Sequence, residues 1–140
     1  MDPIRDTINA VIALQSPENE ACEVSEYIHC ALFMVARSHM WHLQTKSYAQ
    51  HKALNKFYDK LQCYVDRLAE AAIGEKGPLK ATEQTFTFDC PDNAINGIDE
   101  FYHQTDELYE TLQDMPSLTV TLEEILALCK QTKYKLVYLH

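Results

Sequence analysis

The sequence predicts an all-α fold: a bundle of four long helices with one long crossover between helices two and three. Its 140 residues include only three glycines and five prolines, a scarcity that favours long helices over short strands joined by tight turns. Apolar residues recur every three or four positions in four separate segments, which is the period of a helix that buries one face. The lengths of the three connections then indicate how the helices are arranged.

The first helix is predicted to begin at Pro17, with Ser16 as its N-cap, because serine is a favoured cap and proline is tolerated in the first turn. The whole chain, 1–140, is expected to form a single domain. Residues 1–16 are assigned to an N-terminal extension. Four apolar residues of the extension are spaced so as to allow a short helix: Ile4, Ile8, Val11 and Ile12.

The other three helices are predicted, in order, at residues 48–73, 92–114 and 121–139. Gly74 is expected to end the second helix, because glycine favours the conformation found just after a helix C-terminus. Pro116 is expected to stop the third helix, because proline cannot continue one. Thr121 and Glu124 have the spacing of a capping box, which predicts the start of the fourth helix.

The connections predict the topology of the bundle. Those between helices one and two and between helices three and four are short, so each pair should be antiparallel neighbours. About 17 residues, 75–91, separate helices two and three and can reach roughly 50 Å. A helix of 25 residues is only about 37 Å long. The segment can therefore travel the length of the bundle, which is the arrangement of ferritin-like four-helix bundles.

Composition excludes several classes of function. The formal net charge of −9 argues against a general basic surface for nucleic acid. Five cysteines without C-x-x-C spacing indicate reduced, mostly buried thiols and no disulfide framework. No apolar run approaches the roughly 20 residues that cross a bilayer, and the first residues lack a secretory signal. A cytoplasmic protein with no membrane partner is expected.

Four side chains on the first two helices suggest a metal site. They are His39, His51, Asp66 and Glu70, with Asn55 at a position where a further carboxylate would fit the pattern. Imidazole and carboxylate together suit iron, zinc and manganese. Residues three, four and seven apart share one face of a helix, so those of the second helix lie near one stripe beside its core-facing residues.

The segment 39–74 resembles the Dps family, also called mini-ferritins. That family has a histidine late in its first helix and a second one 12 residues later. Carboxylates then follow at offsets of 4, 11 and 4. The same offsets give His39, His51, Asn55, Asp66 and Glu70 in this sequence, within a Val-Asp-x-x-Ala-Glu pattern at residues 65–70. Asn55 departs from the family pattern, because it replaces a carboxylate by a neutral amide and leaves a weakened ligand position.

The resemblance implies an iron site, di-iron by the family's precedent, for which zinc or manganese can substitute. It implies Fe(II) oxidation and storage, with His39 and His51 from one subunit and Asp66 and Glu70 from its partner. Asp66 and Glu70 lie about 22–28 Å along the helix from His51. That separation also requires a second chain. The protein is therefore expected to form a homo-oligomer, at least a dimer.

Two alternatives remain open at this stage. The first is a ferritin-like structural or interaction protein with a degenerate, metal-free site, which Asn55 favours. The second is protection of DNA, against which the net charge of −9 argues. His42 matches no ligand position and is expected to be a packed core residue. A Glu-x-x-His pair at Glu100 and His103 has no second copy in the sequence, so it is not expected to bind metal.

Overall fold

Four long helices form most of the described chain in a computed structural model, which describes residues 2–6 and 17–140 and the backbone alone for 17–22. Their bounds are α1 Pro17–Gln44, α2 Tyr48–Lys76, α3 Ala94–Thr111 and α4 Pro116–Tyr138. A 3₁₀ turn at Pro91–Asn93 precedes α3, and residues 3–6 are also helical. All regular structure in these ranges is helical, which confirms the all-α class. None of the described helices is both long and apolar enough to cross a membrane.

Each long helix packs against two others. The contacting pairs are α1 with α2, α1 with α3, α2 with α4, and α3 with α4. The central residues are fully buried and follow the helical period: Leu54, Leu61 and Leu68 on α2, Ile98 and Phe101 on α3, and Leu122 and Ile125 on α4. Burial of this apolar stripe stabilises helices whose intrinsic propensity alone would be insufficient.

The predicted end of α2 and the predicted start of α4 are wrong. Helix α2 continues through Gly74 to Lys76, and Gly77 ends it with a φ of 85°. That positive φ favours glycine. Helix α4 begins at Pro116, five residues before its predicted start, because the fixed φ of proline suits the first helical position. Thr121 is therefore buried inside α4 and is not its cap.

The remaining predictions of local structure have mixed outcomes. Helix α3 starts two residues later and ends three residues earlier than predicted. Helix α1 does begin at Pro17, but its predicted cap Ser16 lies outside the described residues, as does the rest of the proposed short helix after residue 6. The four described cysteines are free, and two of them, Cys63 and Cys90, are exposed, so the expectation of mostly buried thiols is wrong for these two.

The segment between α2 and α3 runs along α1. The backbone N–H of Lys80 donates to Ser25 Oγ at 2.9 Å. Further on, the aromatic rings of Phe33 and Phe86 stack with centroids 4.6 Å apart. Near the far end of α1, Arg37 binds Asp89. The contacts advance along both segments in the same direction, so this connection and α1 are parallel.

Asp89 ends the connection by accepting hydrogen bonds from three side chains. Arg37 donates to both carboxylate oxygens at 3.0 and 2.6 Å, Trp41 Nε1 donates to Oδ1 at 2.9 Å, and Asn93 Nδ2 donates to Oδ2 at 3.2 Å. The Arg37 guanidinium also lies 4.6 Å from the centre of the Trp41 ring. The hydrogen bonds from Arg37 are the main cause that lowers the pKa of Asp89 from 3.8 to about 2. These four residues are called the Asp89 network below.

Replacing Asp89 with asparagine should lower the free energy of unfolding by about 1–2 kcal/mol at neutral pH. The pKa of Asp89 is lowered from 3.8 to about 2, and each pKa unit corresponds to about 1.4 kcal/mol of stability. The expected loss of stability is smaller than this conversion gives, because the carboxylate is partly exposed. Since the folded-state pKa is below the unfolded value, this stabilisation is complete above about pH 4 and is lost as the pH falls toward 2. Urea unfolding of both proteins at about pH 7 and about pH 3 measures the difference; a difference independent of pH would contradict the assignment.

Replacing Gly97 with alanine should destabilise the fold by about 1–3 kcal/mol, because the new methyl group overpacks the core. A Cβ there would lie 2.7 Å from Cη2 of Trp41 and 3.0 Å from a guanidinium nitrogen of Arg37. Gly74→Ala is the matched control, since a Cβ at Gly74 meets nothing within 4 Å. It should stabilise α2 by about 0.5–1 kcal/mol. Thermal unfolding that moves both variants in the same direction would contradict the close approach at Gly97.

Candidate functional site

The predicted ligands lie on the outer side of α1 and α2 and form two separate groups. His39 on α1 is exposed, His51 and Asn55 on α2 are half-buried, and Asp66 and Glu70 are exposed further along α2. The last two are about 22–28 Å along the helix from His51. Among the described residues, no group of three or more His, Cys, Asp or Glu side chains is placed to hold a metal ion. A single chain therefore does not assemble the predicted site, and the ligand assignment stays a prediction.

His42 and His51 form a reciprocal pair at the junction of α1 and α2. Their rings stack with centroids 3.7 Å apart and planes at 20°. Nδ1 of His42 lies 2.8 Å from the backbone oxygen of His51, and Nδ1 of His51 lies 2.9 Å from the backbone oxygen of His42. A carbonyl oxygen can only accept, so both Nδ1 atoms carry hydrogen and each neutral ring has its lone pair on Nε2. His42 is buried and hydrogen-bonded, which confirms that it is a packed core residue.

His39 and Asn55 both contact Tyr58. The His39 ring stacks on the Tyr58 ring at a centroid distance of 4.2 Å and an angle of 18°. The Tyr58 hydroxyl donates to Oδ1 of Asn55 at 2.7 Å. Burial is the main cause that raises the pKa of Tyr58, and the nearby carboxylate of Asp59 adds to it. The Asn55 amide thus has a partner within its own chain, in the place where a metal ligand was predicted.

The surface around these side chains carries little charge. We define the α1/α2 face by helical spacing and by the ring contacts above. Its members are Leu32, Val35, Ala36, His39 and Leu43 on α1, and His51, Asn55, Tyr58, Gln62, Asp66, Ala69 and Ile73 on α2. With histidine neutral, Asp66 is the one charged residue among them. Leu32 and Leu43 are 49% and 65% exposed, and Ile73 is exposed as well.

Sequence reasoning did not identify the contacts of His42 and Tyr58. His42 was expected to be a packed core residue, but its neighbours and those of Tyr58 depend on how α1 and α2 are aligned. The available signal was spacing: His42 lies three residues after His39, and Tyr58 lies three residues after Asn55, so each pair shares a face. Spacing along one helix does not specify which side chains meet across two helices.

Comparison with known proteins gives a different family from the predicted one. Residues 42–136 match the sequence profile of a family described as "Family of unknown function (DUF5856)". A relative from Enterobacteria phage T4, described as "Uncharacterized 14.6 kDa protein in mobD-ri intergenic region", is 26% identical over 121 residues, 86% of this chain and 93% of that protein. No solved structure matches.

These matches overturn the resemblance to the Dps family, which was wrong. It depended on five positions at offsets that include two steps of four residues. Such steps are common on any amphipathic helix, because they keep side chains on one face. The offsets therefore described two packed helices with a polar stripe, and they did not identify a family.

Proposed function

This chain belongs to DUF5856, a family of unknown function, and we propose that it is a helical interaction protein that pairs with a second copy of itself through the α1/α2 face. One observation carries the proposal: Leu32, Leu43 and Ile73 are exposed on a face that has little charge. Large contiguous apolar patches are uncommon on monomeric proteins and mark interaction surfaces. Depletion of charged residues is also typical of the centre of protein interfaces.

The finer architecture that we propose is a four-helix bundle of ferritin-like topology, with one long crossover between α2 and α3. Two observations support it. The four contacting helix pairs form a closed ring in which α2 and α3 occupy diagonal corners. The connection between them follows α1 from Ser25 to Trp41. The proposal concerns topology alone and implies no relationship to ferritins.

The shape of the face suits a two-fold pairing. Its residues on α2 extend from His51 to Ile73, about 33 Å at 1.5 Å per residue. In a two-fold dimer the same patch is used by both copies, so an antiparallel arrangement brings the His51 end of one α2 to the Ile73 end of the other. The exposed His39 ring, which stacks on the buried Tyr58 ring, lies near the His51 end.

Replacing Leu32 with arginine should convert a dimer into a monomer, because it buries an unpaired charge in the interface. The matched control is Val120→Arg on α4, since Val120 is 53% exposed and lies outside the α1/α2 face. Light scattering during size-exclusion chromatography gives the molar mass of each. A monomeric unmodified protein, or equal loss of dimer in both variants, would overturn the proposed pairing.

Iron binding between subunits is the second candidate, and it requires the same face. The observation that favours it is the lone pair on Nε2 of His51, the nitrogen that metals bind when Nδ1 donates to a carbonyl. Asp66 lies on the same face, and an antiparallel partner would bring it toward His51. The donors of one chain do not fit a metal ion, and Asn55 offers only a neutral oxygen that Tyr58 already uses. Zinc and manganese are alternatives by the same ligand chemistry.

Anaerobic addition of Fe(II), and separately of Zn(II) or Mn(II), tests this second candidate. A ligand of the folded state raises the unfolding temperature, so bound metal should stabilise the protein and His51→Ala should remove that effect. Asn55→Asp should strengthen it by adding a carboxylate. If none of the three metals stabilises the protein beyond His51→Ala, the metal candidate is rejected. That result does not affect the dimer proposal, because the dimer is tested by the molar mass of the protein and not by its stability with metal.

A further inference from the structure

Six of the twelve positively charged residues of this acidic protein lie on two neighbouring helices, in the first half of α2 and the second half of α4. Lys52, Lys56 and Lys60 follow one another at one-turn intervals on α2, and Lys130, Lys133 and Lys135 lie in the C-terminal half of α4. Helix α3 instead carries acidic residues: Asp99, Glu100, Asp106, Glu107 and Glu110. Although the formal net charge is −9, these lysines form a local basic surface. The argument from net charge against binding of nucleic acid does not apply to that surface.

Three lysines lie close together without carboxylate partners: Lys56, Lys60 and Lys135. The pKa of Lys135 is lowered, mainly by burial and then by the neighbouring charges of Lys56 and Lys60. No ion pair involves any of the three in the described part of the chain. Lys56 and Lys135 border an open cavity of about 430 Å³ between α2 and α4, which Lys52, Asn55 and Leu139 also line. Repelling ammonium groups around a cavity favour an anion there.

Two exposed tyrosines lie beside this cavity. Tyr134 and Tyr138 are 53% and 72% exposed, and their ring centroids are 5.8 Å apart. At about 100° per residue, the two tyrosines lie between Lys130 and Lys135 around the α4 axis. They also line a second cavity of about 450 Å³, between α3 and α4, together with Tyr102. Flat rings are thus displayed between Lys130 and Lys135, while Lys133 at the second cavity pairs with Asp99 at 2.7 Å.

We propose that this basic and aromatic surface binds single-stranded nucleic acid. Lys56, Lys60 and Lys135 contact backbone phosphates, and unpaired bases stack on Tyr134 and Tyr138. Proteins that bind single strands without sequence preference combine these two features, because every base has a flat face and every nucleotide a phosphate. A duplex keeps its bases stacked on one another, so it could use the lysines but not the tyrosines. A lone phosphate would leave the tyrosines unused.

A single strand is favoured over a single nucleotide by the extent of the surface. Lys52 and Lys60 are eight residues apart on α2, about 12 Å, and the tyrosines lie on a different helix. One phosphate and one base cannot engage all of these groups. The remaining negative charge of the protein opposes binding at a distance, so the affinity should depend strongly on salt.

Fluorescence anisotropy of a labelled single-stranded thymidine oligomer of about 20 nucleotides tests the proposal. Anisotropy should rise to saturation at low salt. Lys56→Ala with Lys135→Ala should weaken binding about 25-fold at 0.1 M salt, from about fivefold for each lost phosphate contact. Tyr134→Ala with Tyr138→Ala should weaken it roughly fivefold or more, whereas the corresponding phenylalanine pair should bind normally. These side chains are exposed or mutually repelling, so the variants should fold, and circular dichroism checks this.

The matched control is Lys76→Ala with Lys80→Ala, which removes the same charge at the other end of α2 and just after it. Its affinity should stay within about threefold of the unmodified protein, because phosphate contacts are local. The proposal is overturned if the anisotropy does not change when the protein is in excess. It is overturned as well if the control and the Lys56/Lys135 variant lose the same affinity for the oligomer. It is also overturned if a duplex binds as tightly, or if a nucleoside triphosphate displaces the oligomer mole for mole. A dimer lost only in the Lys56/Lys135 variant would assign the surface to a second copy instead.

Discussion

The Asp89 network is the constraint on which the arrangement of the helices depends. Helices α1 and α2 are joined by a short loop, and so are α3 and α4, so each pair can form from local contacts. The two pairs are related by the packing of α2 on α4 and of α1 on α3, and by the connection from Gly77 to Asp89. Asp89 fixes the end of that connection to Arg37 and Trp41 of α1 and to Asn93 directly before α3. The first turn of α3 is therefore positioned against α1, and Gly97 lets it approach the Trp41 ring closely.

The path of this connection also decides which surfaces stay open. By following α1, it covers the side of that helix where Phe33 packs on Phe86 and Phe88. The opposite flank of α1, with Leu32, His39 and Leu43, is left uncovered beside α2. Within the described residues, the outer side of α4 is also left uncovered, because α4 packs there on α2 and α3 alone. The two proposed interaction surfaces are thus the parts of the ring of helices that the crossover does not reach.

The sequence predicted the helices well and their contacts poorly, for physical reasons. A buried stripe requires a period near 3.6, so the four helices and the long connection were readable from Leu54, Ile98 and similar residues. The ends of the helices were harder to predict, because Pro116 is compatible both with stopping one helix and with starting the next, and Gly74 tolerates a helix interior.

The prediction of function failed for a different reason. The role of Asp89 and the pairing of His42 with His51 arise from residues far apart in sequence, which periodicity does not connect. The ligand pattern at His39 to Glu70 used spacings that any two amphipathic helices can show, and the family match overturned the relationship inferred from it.

Helix α2 contributes to both proposed surfaces, which meet at Asn55. Around its axis, His51, Asn55 and Tyr58 lie on the side toward α1, whereas Lys56 and Lys60 lie about 100° or more away on the side toward α4. A dimer formed through the α1/α2 face would leave the lysines and Tyr134 of both copies accessible. Two binding surfaces held in one rigid dimer engage a long strand with a higher effective concentration than two separate monomers. Pairing would therefore strengthen the binding of a strand long enough to reach both surfaces and leave the binding of a short one unchanged. The proposed dimer and the proposed nucleic-acid surface are coupled through α2, although each depends on different residues.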